Sequence, residues 1–523
     1  MALPEFLVIP LLKEEWSSLP AARVRGDKIL LPYTTGALFN CVKAGVPKDL
    51  LPSELLKQAS REIKAHKNKY NYPAGDKQLR PYQRAAVEWL KVFKRGLLAF
   101  AMGAGKTRTA LVLGKETRCQ KVLILCPISA FSAWEKELQE IDLGIEAYFL
   151  KDLKQKSVEY LVDILNRDKF IVITNYEKVF RDKVKKYFLK KFYDLIVLDE
   201  GHAIQNSGSK ISKFCYRLRS SYRVILTGTP KGRSYLAYFG MYKFLDHGVF
   251  GTNKELFKAR YSISNPNNKY HIVKWINTEE LLRKVHYLCF RVSKEEALPF
   301  LPEVNEQIIE LELPSKIMKK YIELEKKSVT EIGDELIGAI NIVSKLNKLN
   351  QFASGFVYED KKVIEVHDIK LKALLEFIKS FDDSHLIVFY WYKEDRKRIK
   401  EMLEKHNVQY YEYCSHKYQE KEWAKNGGVL LAQMKSASLG IDLTAANTIV
   451  YYSLYWDSRV FAQSKDRIHR PPQRKTCFYY YLQVKDTIDE KILEVVKDSE
   501  STNKEELDIY KKICCKYKKN IDK

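Results

Sequence analysis

The chain has no apolar run long enough to span a bilayer, which takes about 20 residues, so a membrane-spanning protein is not expected. Its first residues, Met1 to Glu5, carry no basic segment, and Pro10 interrupts the short apolar run that follows. A secretory leader is therefore not expected, and we expect a soluble intracellular protein. Nine cysteines are scattered through 523 residues, with only Cys514 and Cys515 adjacent. No C-x-x-C pair and no Cys/His ligand spacing occurs. That pattern indicates neither a zinc site nor a disulfide framework, and it suits thiols kept reduced inside a cell. Acidic residues are in deficit: 66 Asp and Glu face 90 Lys and Arg, a formal net charge of +24. Such an excess points to a polyanionic partner, nucleic acid being the commonest. Charge alone does not separate DNA, RNA and an anionic membrane surface. Apolar residues make up 46% of the chain, ample for several cores in a sequence too long for one.

What is present is organised around Gly103-Ala104-Gly105-Lys106-Thr107. Leu97 to Phe100 reads as a buried strand before it, and Arg108 to Leu113 as a helix after it. Strand, glycine-rich turn, Lys-Thr and helix form the arrangement of a phosphate-binding loop. Backbone N–H groups freed by glycine approach a polyphosphate, Lys106 neutralises the β- and γ-phosphates, and Thr107 offers a hydroxyl to Mg²⁺. The strict pattern wants glycine where Phe100 stands, and a plain strand-to-helix turn is the alternative. A second element is Asp199-Glu200-Gly201-His202, an acidic pair after the apolar run Leu195–Leu198. Carboxylates after a buried strand are costly without a cation. The economical assignment puts Asp199 on Mg²⁺, mainly through water, and Glu200 on the attacking water; an ordinary charged loop is the alternative.

Further short apolar runs, at 122–125, 170–173 and 224–226, recur between helical segments. Their continuous rather than alternating character predicts parallel strands covered on both faces, hence a doubly wound α/β lobe. Ligands bind at the carboxyl ends of such strands. One run ends in Thr227-Gly228-Thr229-Pro230, hydroxyl residues placed to relay a change at the phosphate. Upstream, Leu79-Arg80-Pro81-Tyr82-Gln83 opens a helix, and the Gln83 amide suits an adenine edge. Strand-like runs at 386–389, 429–432, 448–452 and 478–481 imply a second α/β lobe without a phosphate loop. It carries Gln463 to Arg470, in which Arg467 and Arg470 share a face if helical. Arginine suits bidentate phosphate contact. The expected organisation is an accessory region over 1–77, an ATP-binding lobe over 78–245 and a helical insertion and linker over 246–365. A second lobe over 366–495 and a basic tail over 496–523 complete it.

The order of these motifs resembles the Swi/Snf branch of superfamily 2 helicase-type motors, over roughly residues 78–495. The carrying segments are Leu79–Gln83, Met102–Thr107, Cys126-Pro127 with Trp134–Glu137, and Thr174–Glu177. The rest are Asp199–His202, Leu226–Pro230, Leu439–Ala446, Gln463–Arg470 and Asp486–Ile492. The resemblance implies two recombinase-like lobes with ATP between them and DNA across both, in an ATPase stimulated by duplex DNA. It adds Met102, Ala104, Arg108 and Gln463 to the ATP-binding set, and Gly440 and Asp442 to the residues that couple hydrolysis to DNA alongside Thr227 and Thr229. It implies that Arg467 and Arg470 act catalytically at the γ-phosphate. ATP and Mg²⁺ are the implied cofactors, duplex or forked DNA the partner, and residues 1–77 the place for protein partners. Phe100-Ala101 stand where the family usually has Asp-Glu, Gln433-Met434 replace Ser-Thr, Ala437-Ser438 replace a glycine pair, and Pro471-Pro472 precede Gln473. The short insertion and the lack of a recognisable histone-reading module favour a prokaryotic or viral motor on naked DNA. An RNA helicase of the same superfamily, or a DNA-binding scaffold without hydrolysis, are the competing readings.

Overall fold

The computed structural model describes residues 6–150, 157–179, 182–228, 230, 234–266, 268–333, 339–359, 362–381, 383–414, 417–437 and 441–497. The chain divides into two compact units, one running to Pro299 and the other from Phe300 to Thr502.

In the first unit seven strands form one parallel sheet. Their spatial order is Cys289–Val292, Arg95–Phe100, Arg219–Leu226, Phe192–Asp199, Lys121–Leu125, Phe170–Thr174 and Ala147–Leu150. The five runs expected as strands are all present, and their continuous hydrophobicity is explained by burial of both sheet faces. Two strands escape the sequence pattern because they are edges. Ala147–Leu150 alternates half-buried and buried residues. Cys289–Val292 contains Arg291 and lies in a stretch expected to be helical. The chain leaves Arg95–Phe100 and forms its next strand, Lys121–Leu125, three positions away. That jump opens a crevice at the carboxyl ends of the strands. Phe192–Asp199 lies two positions from Arg95–Phe100, so their ends are about 10 Å apart at the usual strand spacing.

Residues before the phosphate loop are built into the same unit. Phe6–Pro10, Lys28–Pro32 and Arg23–Arg25 form a small antiparallel sheet. Its core includes Ile9, Trp16, Ile29, Leu31 and Leu38. On the helix Ser53–Asn68, Leu55 and Ala59 are buried, Ile63 is exposed, and Glu62 is fully buried. Glu62 accepts from Thr35 Oγ1 at 2.6 Å and faces Arg95 Nη2 at 3.6 Å. Asn40 Nδ2 donates to Gly248 O at 2.7 Å, and Lys69 Nζ to the carbonyls of His286 and Cys289, each at 2.8 Å. Buried polar groups need partners, and here the partners tie the amino-terminal region to segments some 200 residues away.

The second unit has its own sheet, in the order Val304–Leu311, Cys477–Val484, Thr448–Tyr451, His385–Tyr390, Gly428–Gln433, Tyr410–Cys414 and Lys417-Tyr418, parallel except at the last pair. Alternate residues feed opposite cores. Ile387, Phe389, Leu430 and Ala432 pack on one face, and Leu386, Val388, Val429 and Leu431 on the other. Val304–Leu311 is an exposed edge strand with charged residues, so its sequence lacks the apolar run of a central strand. Segment 246–365 therefore contributes Cys289–Val292 to one sheet and Val304–Leu311 to the other, besides helices such as Ser315–Gly333. Within that helix Tyr321 is buried against Ile317, Leu324, Leu346 and Phe352.

Candidate nucleotide site

The loop after Arg95–Phe100 turns into the helix Lys106–Glu116 through two residues of left-handed backbone, Gly103 and Gly105, at φ of 74° and 73°. Gly105 could not be another residue without cost. Its φ is rarely adopted by side-chain-bearing residues, and a Cβ there would sit 2.1 Å from Gln83 Nε2. Gln83 is nearly fully buried and fastens the loop. Its Nε2 donates to the carbonyls of Ala104 and Gly105 at 3.1 and 3.2 Å, and its Oε1 accepts from Arg80 N–H at 2.8 Å. Tyr82 Oη adds a bond to Ala104 O at 2.9 Å. The amide expected to read adenine thus spends its hydrogen-bonding groups on the loop and on its own helix start.

Lys106 Nζ turns back onto the end of the strand, donating to Phe100 O at 3.0 Å and Ala101 O at 3.2 Å. Gly228 lies close by, its would-be Cβ 3.9 Å from Lys106 Nζ and 3.4 Å from Met102 Cγ. The turn after Arg219–Leu226 therefore abuts the phosphate loop. Thr227 is fully buried there, its N–H bonded to Leu98 O at 3.2 Å. Thr229 lies outside the described residues. Thr107 is half-buried on the first turn of the helix.

Asp199 ends the adjacent-but-one strand and is 8% exposed. Trp134 Nε1, from the helix Phe131–Glu140, donates to its Oδ2 at 2.9 Å, and Glu200 N–H to its Oδ1 at 3.0 Å. Tyr176 Oη holds the Asp199 carbonyl at 2.7 Å. Burial, and after it the charge of Glu200, push the Asp199 carboxyl up to about 6, while the Trp134 bond and Lys106 pull the other way. Glu200 sits in left-handed backbone at φ 51° with its Oε2 3.2 Å from His202 Nδ1. Gly201 follows because its backbone passes so near the neighbouring strand that a Cβ would meet Ile225 Cγ2 at 2.1 Å. The Asp199 carboxylate, with its lone pairs oriented, and the Thr107 hydroxyl are hard oxygen donors of the kind Mg²⁺ takes.

A cavity of about 520 Å³ opens beside the loop, lined by 75–81, Gln83, Gly103–Gly105, Arg108 and Glu137. Arg108, expected to contact ATP, lines it but is paired with Glu137 at 2.8 Å and also with Glu140. That pair joins the loop helix to the helix that carries Trp134. In the sequence, Trp134–Glu137 stands out only as part of a motif, and nothing in it signals either bond. The tryptophan alone gave no signal of the carboxylate it would meet, 65 residues on.

The remaining candidates lie in the second unit, and the structure separates them. Gln463 is on the helix Ser458–Lys465, whereas Arg467 and Arg470 follow its end in a turn. They therefore do not share a helix face. Arg467 is buried, with Nε on Gln463 O at 2.9 Å and Nη1 on Ile441 O at 3.1 Å. Arg470 is half-buried, and among the described residues its Nε has no hydrogen-bond partner. Asp442 is exposed and accepts from Thr444 N–H at 3.1 Å and Oγ1 at 2.8 Å, a self-contained turn. Gly440 lies outside the described residues.

Comparison with known proteins gives two domain matches. The SNF2-related domain matches residues 82–354, and the helicase conserved C-terminal domain matches residues 369–472. An uncharacterized ATP-dependent helicase of Mycoplasma pneumoniae is 26% identical over 437 residues, 80% of this chain and 41% of the relative. A putative ATP-dependent helicase/translocase of Bacillus subtilis, YwqA, is 27% identical over 88% of this chain and 52% of its own length. The yeast ISWI chromatin-remodeling complex ATPase ISW1 is 27% identical over 80% and 39%. The chain thus spans about two fifths to one half of the length of these relatives. Among solved structures, the Sulfolobus solfataricus SWI2/SNF2 ATPase core in complex with dsDNA is 24% identical. It covers 83% of this chain and 93% of that chain, with a TM-score of 0.40.

Proposed function

This chain belongs to the SNF2-related family, and from that premise we propose that it is an ATP-dependent motor on DNA. Its work would be to hydrolyse ATP on duplex or branched DNA and remodel DNA or protein–DNA complexes. The observation that carries the reading is the meeting of three strand ends in one crevice. One brings Lys106 and Thr107, the next Thr227 and Gly228, and the third Asp199 and Glu200.

Each group has a chemical task there. Lys106 exchanges two backbone carbonyls for phosphate oxygens. The N–H groups of Gly103 to Thr107, at a helix start, face the same anion. Thr107 and Asp199 would hold Mg²⁺, which supplies positive charge to the transferring phosphoryl group. Glu200 orients the attacking water, and the turn at Thr227 senses the phosphate across its contact with the loop. Charge developing on the γ-phosphate oxygens needs a cation beyond Lys106. Arg470 is the better-suited of the two arginines, because Arg467 is committed to backbone carbonyls within its own unit. The excess of Lys and Arg supports a nucleic-acid track, since backbone phosphates are read by charge without sequence preference.

The test is the ATPase rate with duplex, forked and single-stranded DNA and with RNA. Duplex or forked DNA should stimulate most, and the logarithm of DNA affinity should fall against log salt with a slope of about −0.9 per phosphate neutralised. Equal or greater stimulation by RNA would replace this reading with an RNA helicase.

A further inference from the structure

A second cavity, of about 470 Å³, lies in the first unit away from the phosphate loop. Its size is within the range of small-molecule sites, roughly 300–1,000 Å³. Three helices each turn one face toward it at helical spacing. Thr35–Lys43 gives Gly36, Phe39, Asn40 and Lys43; Ser53–Asn68 gives Ile63, His66 and Lys67; Thr278–Tyr287 gives Glu280, Arg283, Lys284 and Tyr287.

The walls are fixed in advance of any ligand. Tyr287 Oη bonds Glu62, and Asn40 Nδ2 bonds Gly248 O. His286 Nδ1 lies 3.2 Å from His66 Nε2. Two ring systems, Phe39 and Tyr287, meet edge to face with centroids 4.9 Å apart. The mouth is cationic: Lys43, Lys67, Arg283 and Lys284 line it with one carboxylate, Glu280. That carboxylate is already shared. It takes Arg260 through two bonds of 3.1 and 3.0 Å and Tyr261 Oη at 3.0 Å. Lys43 and Lys284 stand 3.4 and 3.5 Å from it. One negative charge thus serves three cations. Burial pulls the Lys284 ammonium down to about 8, with Arg260 and Lys43 adding to the effect against Glu280. An anion at the mouth would relieve this imbalance, and aromatic walls suit a flat body behind it. Lys57, Arg61 and Lys64 extend the basic surface along the exposed face of the same helix as Lys67.

We propose that this cavity binds a nucleoside monophosphate unit, with the base against Phe39 and Tyr287 and the phosphate at Lys43, Arg283 and Lys284. Two sources offer that chemistry, a free nucleotide and the 5′ end of a DNA strand. The site is distinct from the phosphate loop, and its occupancy does not require ATP hydrolysis.

The test uses the full chain with the phosphate loop saturated by a non-hydrolysable ATP analogue and Mg²⁺. Calorimetric titration then follows dAMP, and separately a short oligothymidylate with either a 5′-phosphate or a 5′-hydroxyl. The variant is Lys43→Glu with Arg283→Glu; these side chains are 60% and 53% exposed, so the fold should keep its Tm. A further dAMP site that weakens at least about tenfold in the variant supports a free nucleotide. Oligonucleotide binding that gains at least about tenfold from the 5′-phosphate, and loses that gain in the variant, supports a strand end. The proposal is overturned if no further dAMP site appears and the oligonucleotide ignores its 5′-phosphate, or if the variant binds both probes as the parent does. Because the readout is binding alone, failure here leaves the motor reading standing, and loss of ATPase stimulation would leave this site standing.

Discussion

Replacing Trp134 by Phe isolates one bond in the candidate site. The indole and the Asp199 carboxylate are both buried, 0% and 8% exposed, and Nε1–H points at Oδ2 from 2.9 Å. Phenylalanine keeps an aromatic ring in the core and removes the donor. Among the described residues, the Asp199 carboxylate then retains only the Glu200 N–H, on its other oxygen. A hydrogen bond to a charged group contributes about 1.5–3 kcal/mol. At about 1.4 kcal/mol per factor of ten, that is about a 10- to 100-fold effect on whatever the oriented carboxylate binds. The expected result is a rise of that size in the Mg²⁺ concentration that half-saturates ATPase activity, with turnover at saturating Mg²⁺ within a few-fold of the parent. Thermal unfolding, followed in parallel, should move by only a few degrees. Asp199→Asn, which alters the ligand itself, sets the upper limit of the effect. If Trp134→Phe is folded and its Mg²⁺ requirement stays within twofold of the parent, Trp134 does not position the metal-binding carboxylate.

Glu200→Gln should keep ATP binding while hydrolysis drops by about 10²–10⁴, and Lys106→Ala should instead weaken binding; wild-type turnover in Glu200→Gln would remove the water-orienting assignment. The two arginines should behave differently. Arg467→Ala should lower Tm because it strips two buried carbonyls of their donor, whereas Arg470→Ala should fold normally and lose DNA-stimulated turnover by about 10³; equal Tm losses would refute the distinction. Gly105→Ala should destabilise the loop by about 1–2 kcal/mol for the left-handed backbone alone, displace Gln83 and raise the KM for ATP; parental values of both would contradict the loop geometry. Asp395, fully buried and bonded to Tyr392 N–H and Ser453 Oγ, is pushed up to about 6 by burial. Its folded value exceeds the unfolded one of about 3.9, so its stabilising contribution is complete below the unfolded value and is lost as pH rises through about 6. Between pH values below and above this window, the parent should lose on the order of 3 kcal/mol more unfolding free energy than Asp395→Asn. Urea unfolding at the two pH values measures this, and parallel pH dependences would refute it.

Central strands were readable because burial on both faces demands long apolar runs, and every such run expected in the sequence became a strand. Edge strands were not. Cys289–Val292 and Val304–Leu311 pair on one side only, so they tolerate Arg291, Glu306 and Glu310 and look like linker. Tyr410–Cys414 hid behind Glu412, which is buried yet charged because Arg396 and Lys417 each reach it at 2.8 Å. Such compensation joins residues far apart in sequence, and no local pattern announces it.

The same division runs through the site. Local chemistry determined the phosphate loop, the acidic pair and the threonine turn, since glycine conformations, a helix start and a strand end are set by neighbouring residues. Only the tertiary structure decided which groups touch. It put the Gln83 amide on the loop backbone, the Trp134 indole on Asp199, and Arg467 on the Ile441 carbonyl. It also closed three helices from opposite ends of the first unit around a cationic cavity that no one segment foreshadows. Covalent neighbours fix a conformation; partners across space are chosen by packing and by the cost of leaving buried polar groups unpaired.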